Sequence, residues 1–191
     1  GNPPRIIDDD VYTISELLKQ HGYKTYFSTG VGTARIPING RFGIQRHGSG
    51  AEKILKQTKK WWNKTNSPKF SYIHLGDLHN GNIEMPDEEY FDPIPDELGV
   101  ENWRFQCSKG PKDEFDSYRD GRELLYDTVV RDIDKHIKNF LSDIENDPII
   151  VVTSDHGEEF WEYLELERKY FLDPRGTRSI GHGHALVPSV I

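Results

Sequence analysis

The chain has 191 residues, 35 % of them hydrophobic and 29 % charged, with a formal net charge of −8. That length suits one domain with a sizeable core, and nine Phe, nine Tyr and four Trp are too many for a disordered chain. The acidic balance argues against a broad phosphate-tracking face, so no nucleic-acid partner is expected, although a local basic pocket is compatible with it.

The opening GNPPRIIDDD lacks the apolar core of a signal peptide, and Asp8, Asp9 and Asp10 read as a solvated acidic lead-in. In TISELLKQHGY, Thr13 and Glu16 stand three apart as a capping-box pair, Ile14, Leu17 and Leu18 offer an apolar face, and Gly22 ends the helix. KTYFST reads as a strand, and the glycine-rich stretch after it, which matches no phosphate-loop spacing, as an irregular surface loop. A second helix is predicted from Ala51 to about Trp62, ended by Ser67-Pro68, and a second strand in FSYIHL.

Residues 80–112 are rich in Pro, Asp, Glu and Gly without periodicity and read as a long loop or insertion. From Ser117 to Glu145, apolar residues such as Tyr126, Val130, Ile133, Ile137 and Leu141 recur at helical steps. PIIVVTS follows as a continuous apolar strand of the kind covered on both faces. Helix and strand alternate, which predicts an α/β fold with a largely parallel sheet, in one domain over 1–191. No stretch approaches the roughly eighteen apolar residues of a membrane span. Cys107 is the one cysteine, so an internal disulfide and a Cys-rich zinc site are excluded and the compartment stays unknown.

In open α/β sheets, ligands bind beyond the carboxyl ends of strands. YIHLGDLHNG carries Asp77 and His79 to one such end, IIVVTSDHG carries Asp155 and His156 to another, and GHGH supplies His182 and His184 further on. Carboxylate oxygen and imidazole nitrogen together suit a divalent cation. Asp-His-Gly serves equally well as a turn and helix N-cap, and Asp77 on its own reads as a brace for its loop.

The order of these segments resembles the sulfatase family of the alkaline-phosphatase-like superfamily. TISELLKQHGYKTYFST is similar to its helix and strand, FSYIHLGDLHNG to the strand leading to its Asp-Pro-His motif, YDTVVRDIDKHIKNFL with IIVVTSDHGEEFWE to its long helix and metal-binding strand tip, and GHGHALVPSVI to its Gly-His-Gly segment. Leu78 stands where the family prefers proline. The resemblance implies a layered α/β/α fold and a sulfuric ester hydrolase acting on a small-molecule or glycan sulfate. It makes Asp155 and His156 ligands of a divalent metal, with Ca2+ favoured and Mg2+, Mn2+ or Zn2+ compatible. It makes His79 and His182 donors to the sulfate or its leaving oxygen, and gives His184 no defined role.

A sulfatase also needs a nucleophile, in the family a formylglycine made from a Cys/Ser-x-Pro-x-Arg motif. None of the eleven prolines has Cys, Ser or Thr two residues before it. The expectation is therefore the middle of a longer sulfatase-like protein, without its nucleophile segment and C-terminal subdomain, and without turnover by itself. The alternatives are a phosphoester hydrolase or a phosphoglycerol or phosphoethanolamine transferase of the same superfamily, or a non-catalytic binding module.

Overall fold

A computed structural model describes residues 6–78, 112–155 and 157. The elements are α1 (Ile14–Gln20), β1 (Lys24–Thr29), a 3-10 turn (Gly32–Arg35), β2 (Ile44–His47), α2 (Ala51–Lys64), β3 (Lys69–His74) and α3 (Lys112–Asp143). The three strands form one wholly parallel sheet in the order β2-β1-β3, so the expected α/β class is what the protein adopts. The chain divides into two compact units, Gly1–Glu84 with Val129–Asp147 and Met85–Thr128 with Pro148–Ile191.

The first unit holds the sheet. Its centre is β1, in which Thr25 to Thr29 are all buried because strands lie on both sides and helices pack on it. Successive side chains of a strand point to opposite faces. Tyr26 stacks on Trp61 of α2 at 4.8 Å, whereas Phe27 meets Phe42 at 5.4 Å and Tyr72 at 5.7 Å. The pairing sets Phe27 opposite Tyr72, which makes that ring pair a direct result of register.

Helix α1 begins as its sequence requires: the Thr13 amide and hydroxyl both donate to Glu16 Oε2, at 3.0 and 2.8 Å. Its predicted apolar face is corrected, however. Ile14 and Leu17 are exposed, and the buried residue is Ser15, whose hydroxyl donates to the Arg41 carbonyl at 3.1 Å. Arg41 itself is 7 % exposed and acts as a staple, its guanidinium donating to the carbonyls of Ile7, Asp8 and Val11 and to the Glu16 carboxylate.

Helix α2 buries Ala51, Ile54, Leu55 and Thr58 at helical spacing, which defines its inner face. Its carboxyl end is tied to the end of α3, with Lys59 Nζ 2.6 Å from Asp143 Oδ2 and the Trp62 indole donating to the Glu145 carbonyl at 2.9 Å.

Two further expectations change. The glycine-rich stretch contains a strand, β2, which short polar IQRH hides from periodicity because only its pairing with β1 defines it. The apolar run 148–154 is not a strand: it makes no ladder among the described residues, and Ile149 is 97 % exposed. Strand-forming composition needs a partner to become a strand, and the preceding Asn146 and Asp147 turn the chain out of α3 with positive φ of 72° and 41°. Of the loop expected over 80–112, residues 80–111 lie outside the described residues and Lys112 opens α3.

Candidate active-site edge

The strand order puts β1 between β2 and β3, so the chain leaves β1 toward one side and returns through α2 to the other. In a 2-1-3 order the crevice beyond the carboxyl ends of the first and third strands is the switch point where ligands bind. Thr29 and His74 end those two strands side by side, and His47 ends β2 opposite Thr29 on its other flank.

Thr29 is fully buried and organises this edge. Its hydroxyl accepts from the Val31 amide at 2.9 Å and lies 3.1 Å from His74 Nδ1, which fixes the imidazole at the strand end. The two following loops press together backbone to backbone. Gly30 N–H donates to the His74 carbonyl at 2.9 Å, and a Cβ at Gly30 would sit 2.9 Å from Gly76 N. No side chain fits between β1 and β3 here, so the glycines set how closely the crevice walls approach.

Asp77 behaves as the brace the sequence suggests. One carboxylate oxygen accepts from the Ala51 amide at 2.7 Å, satisfying an N-terminal donor of α2 and pinning the loop after β3 to that helix. The other oxygen is buried without a hydrogen-bond partner among the described residues. Burial raises the Asp77 carboxyl above the ordinary Asp range; the Ala51 amide opposes this, nearby Asp132 adds to it and His136 opposes it. With the folded value raised, the protonated form favours folding, so this stability is present below pH 3.8 and lost as pH rises through the shifted value. Asp77→Asn keeps an acceptor for Ala51 and removes the charge, and is expected to leave stability at pH 7 equal or higher while flattening that slope. Urea titrations at pH 4 and pH 7 check this, and a loss at pH 7 comparable with Asp77→Ala would contradict it.

Of the four site residues inferred from sequence, Asp155 is described, just after the exposed residues 149–153 and half-buried Ser154, with Gly157 beyond. Ser154 Oγ next to it is buried without a hydrogen-bond partner among the described residues. His79, His156 and His182 lie outside the described residues. Among the described residues no group of three or more His, Cys, Asp or Glu has cation-binding geometry. Asp155 and His156 are adjacent in sequence, and carboxylate and imidazole are donor types that suit a divalent cation. Sequence reading missed Thr29, His47 and His74. For Thr29 and His74 the signal was available, because the two strands legible in sequence each end in a polar residue at the edge where α/β sheets bind ligands; His47 had none, since β2 is defined by its pairing alone.

Comparison with known proteins agrees with this architecture. The Sulfatase family model matches residues 3–188, and the chain belongs to the sulfatase family. The structure is similar to the C-terminal periplasmic domain of EcEptC from Escherichia coli in complex with Zn, with a TM-score of 0.51 and 19 % identity over 78 % of this chain and 44 % of that one. A second structure of that domain shows 23 % identity and a TM-score of 0.44 over 78 % and 43 % of the respective chains. The chain thus spans less than half the length of these solved structures. No curated protein matches it. No helix among the described residues is long and apolar enough to cross a membrane.

Proposed function

We propose that this chain provides the metal-ligand and leaving-group side of a sulfuric ester hydrolase acting on a small-molecule or glycan sulfate. The observation that supports it most is the family match across 3–188, joined to a parallel sheet whose order places a switch point at the carboxyl ends of β1 and β3. Asp155 and His156 hold the divalent cation, and His79 and His182 face the transferred group. When bound, the cation stabilises negative charge on that group. His79 and His182 orient the sulfate oxygens by hydrogen bonding and hold a proton for the departing alcohol oxygen, the role for which imidazole is best matched near neutral pH. Calcium is the first metal to test and zinc the second, the latter because the EcEptC domain was crystallised with it.

Because the sequence has no Cys/Ser-x-Pro-x-Arg motif, the 191 residues alone are expected to give no multiple turnover of an aryl sulfate with either metal. The full-length gene product is expected to turn it over, and His79→Ala to lower that rate by about 100-fold, the weight typical of a positioned proton donor. Turnover by the isolated chain would overturn the assignment. A full-length protein that cleaves a phosphate ester and spares the sulfate would move it to the phosphoester hydrolases or transferases of the superfamily.

A further inference from the structure

The outer face of α2 carries Lys53, Lys56, Lys60 and Lys64, spaced three, four and four residues apart, so they form one row along the helix opposite its buried residues. All four are exposed, and none has an ion-pair partner among the described residues. The other lysines nearby are committed: Lys59 pairs with Asp143, and Lys69 donates to the carbonyls of Trp62 and Thr65 and lies over the Trp62 ring. Glu52 is the one acid in this helix. A lysine row on a solvated helix is ordinarily a solubility device, yet this chain carries a net charge of −8, so a cationic row without an ion-pair partner among the described residues runs against its overall field.

Position adds a second argument. The row starts in the first turn of α2, whose Ala51 amide is bound by Asp77 at the carboxyl edge of the sheet, and extends about 16 Å away from that edge at 1.5 Å per residue. Neighbouring Cβ atoms along the row are about 5–6 Å apart, which keeps the ammonium groups close enough for their potentials to add over a Debye length of about 8 Å at physiological ionic strength. We propose that this lysine row is a docking strip for a linear sulfated polysaccharide, which it leads to the carboxyl edge of the sheet. The proposal rests on the sulfate-ester reading above and narrows its substrate to a polyanionic chain. An anionic membrane is the poorer occupant, because an interfacial helix needs exposed apolar anchors beside its lysines, whereas Ile54 and Leu55 are buried and Trp61 and Trp62 are held against Tyr26 and Lys69.

The test compares full-length wild-type protein with K53Q/K56Q/K60Q/K64Q and with a control changed at exposed Lys19, Lys24 and Lys138, each measured for binding to dextran sulfate, neutral dextran and phosphatidylglycerol vesicles. At physiological salt, the quadruple variant is expected to bind dextran sulfate about tenfold more weakly or worse, and the control to bind it as wild type does, with neutral dextran unbound. Equal binding by wild type and the quadruple variant would overturn the proposal, as would retention of the vesicles without retention of dextran sulfate. Aryl sulfate turnover by wild type reports separately on the proposed function. Turnover with row-independent binding removes the strip alone, and row-dependent binding without turnover removes the enzymatic reading alone.

Discussion

Gly30→Ala is expected to destabilise the protein by about 2 kcal/mol, within the usual range for an overpacked core, and to lower the sulfate-ester turnover proposed for the full-length protein by at least about tenfold. The added methyl meets Gly76 N at 2.9 Å, Gly76 Cα at 3.2 Å and Ile54 Cδ1 at 3.3 Å. The first two are backbone atoms, so the clash is relieved only by moving the β3 loop away from β1. That movement stretches the 2.9 Å bond from Gly30 N–H to the His74 carbonyl and shifts the loop that Asp77 pins. Geometry at a reacting centre is unforgiving of displacements near 1 Å, which supports a loss of rate beside the loss of stability. Urea denaturation and steady-state kinetics check the two parts; a variant as stable and as active as wild type would show that the two loops do not touch as described.

Arg41→Ala carries the largest expected loss of stability, about 3 kcal/mol, because one buried guanidinium satisfies the carbonyls of Ile7, Asp8 and Val11 together. Its guanidinium has no substitute: Nη2 lies 2.8 Å from the Ile7 carbonyl and 2.9 Å from that of Asp8, while Nη1 lies 2.9 Å from Glu16 Oε1 and 3.2 Å from the Val11 carbonyl. Removing it releases the segment before α1 and leaves the Glu16 carboxylate without its cation. Arg41→Lys is expected to recover only part of the loss, because an ammonium is a point charge without the planar fork. The same cluster predicts an acid transition. The Thr13 amide and hydroxyl, with Arg41, hold the Glu16 carboxyl down at about 2 instead of 4.5. With the folded value depressed, its stabilisation is full above pH 4.5 and is lost as pH falls toward 2. Glu16→Gln is expected to flatten that limb, and thermal melts at pH 2.5 and pH 6 read the difference.

Much of the frame was legible because its signals are local. Thr13 with Glu16, the six residues KTYFST and the apolar spacing of 51–62 each specify an element within a dozen residues, and each formed. What escaped was non-local. The role of Arg41 depends on carbonyls more than thirty residues away, and β2 exists through its register with β1, so neither leaves a periodic trace in sequence. Ser15 replaced Ile14 and Leu17 as the buried side of α1 because a hydroxyl bonded to the Arg41 carbonyl satisfies a polar contact there. PIIVVTS shows the opposite error: strand-like composition was read correctly, but the ladder that would make it a strand is absent among the described residues. At the site, sequence named Asp77 as a brace and overlooked Thr29 and His74, whose importance comes from lying next to each other at the ends of two paired strands.

The claim on which the functional account depends is that Asp155 and His156 bind the catalytic cation. Isothermal titration of the metal-free full-length protein with calcium, and separately with zinc, tests it most directly. One ion per chain for wild type, with affinity lowered at least about tenfold in both Asp155→Ala and His156→Ala, is the predicted result. An ion bound equally well by both variants, or no binding by the wild type, would contradict it.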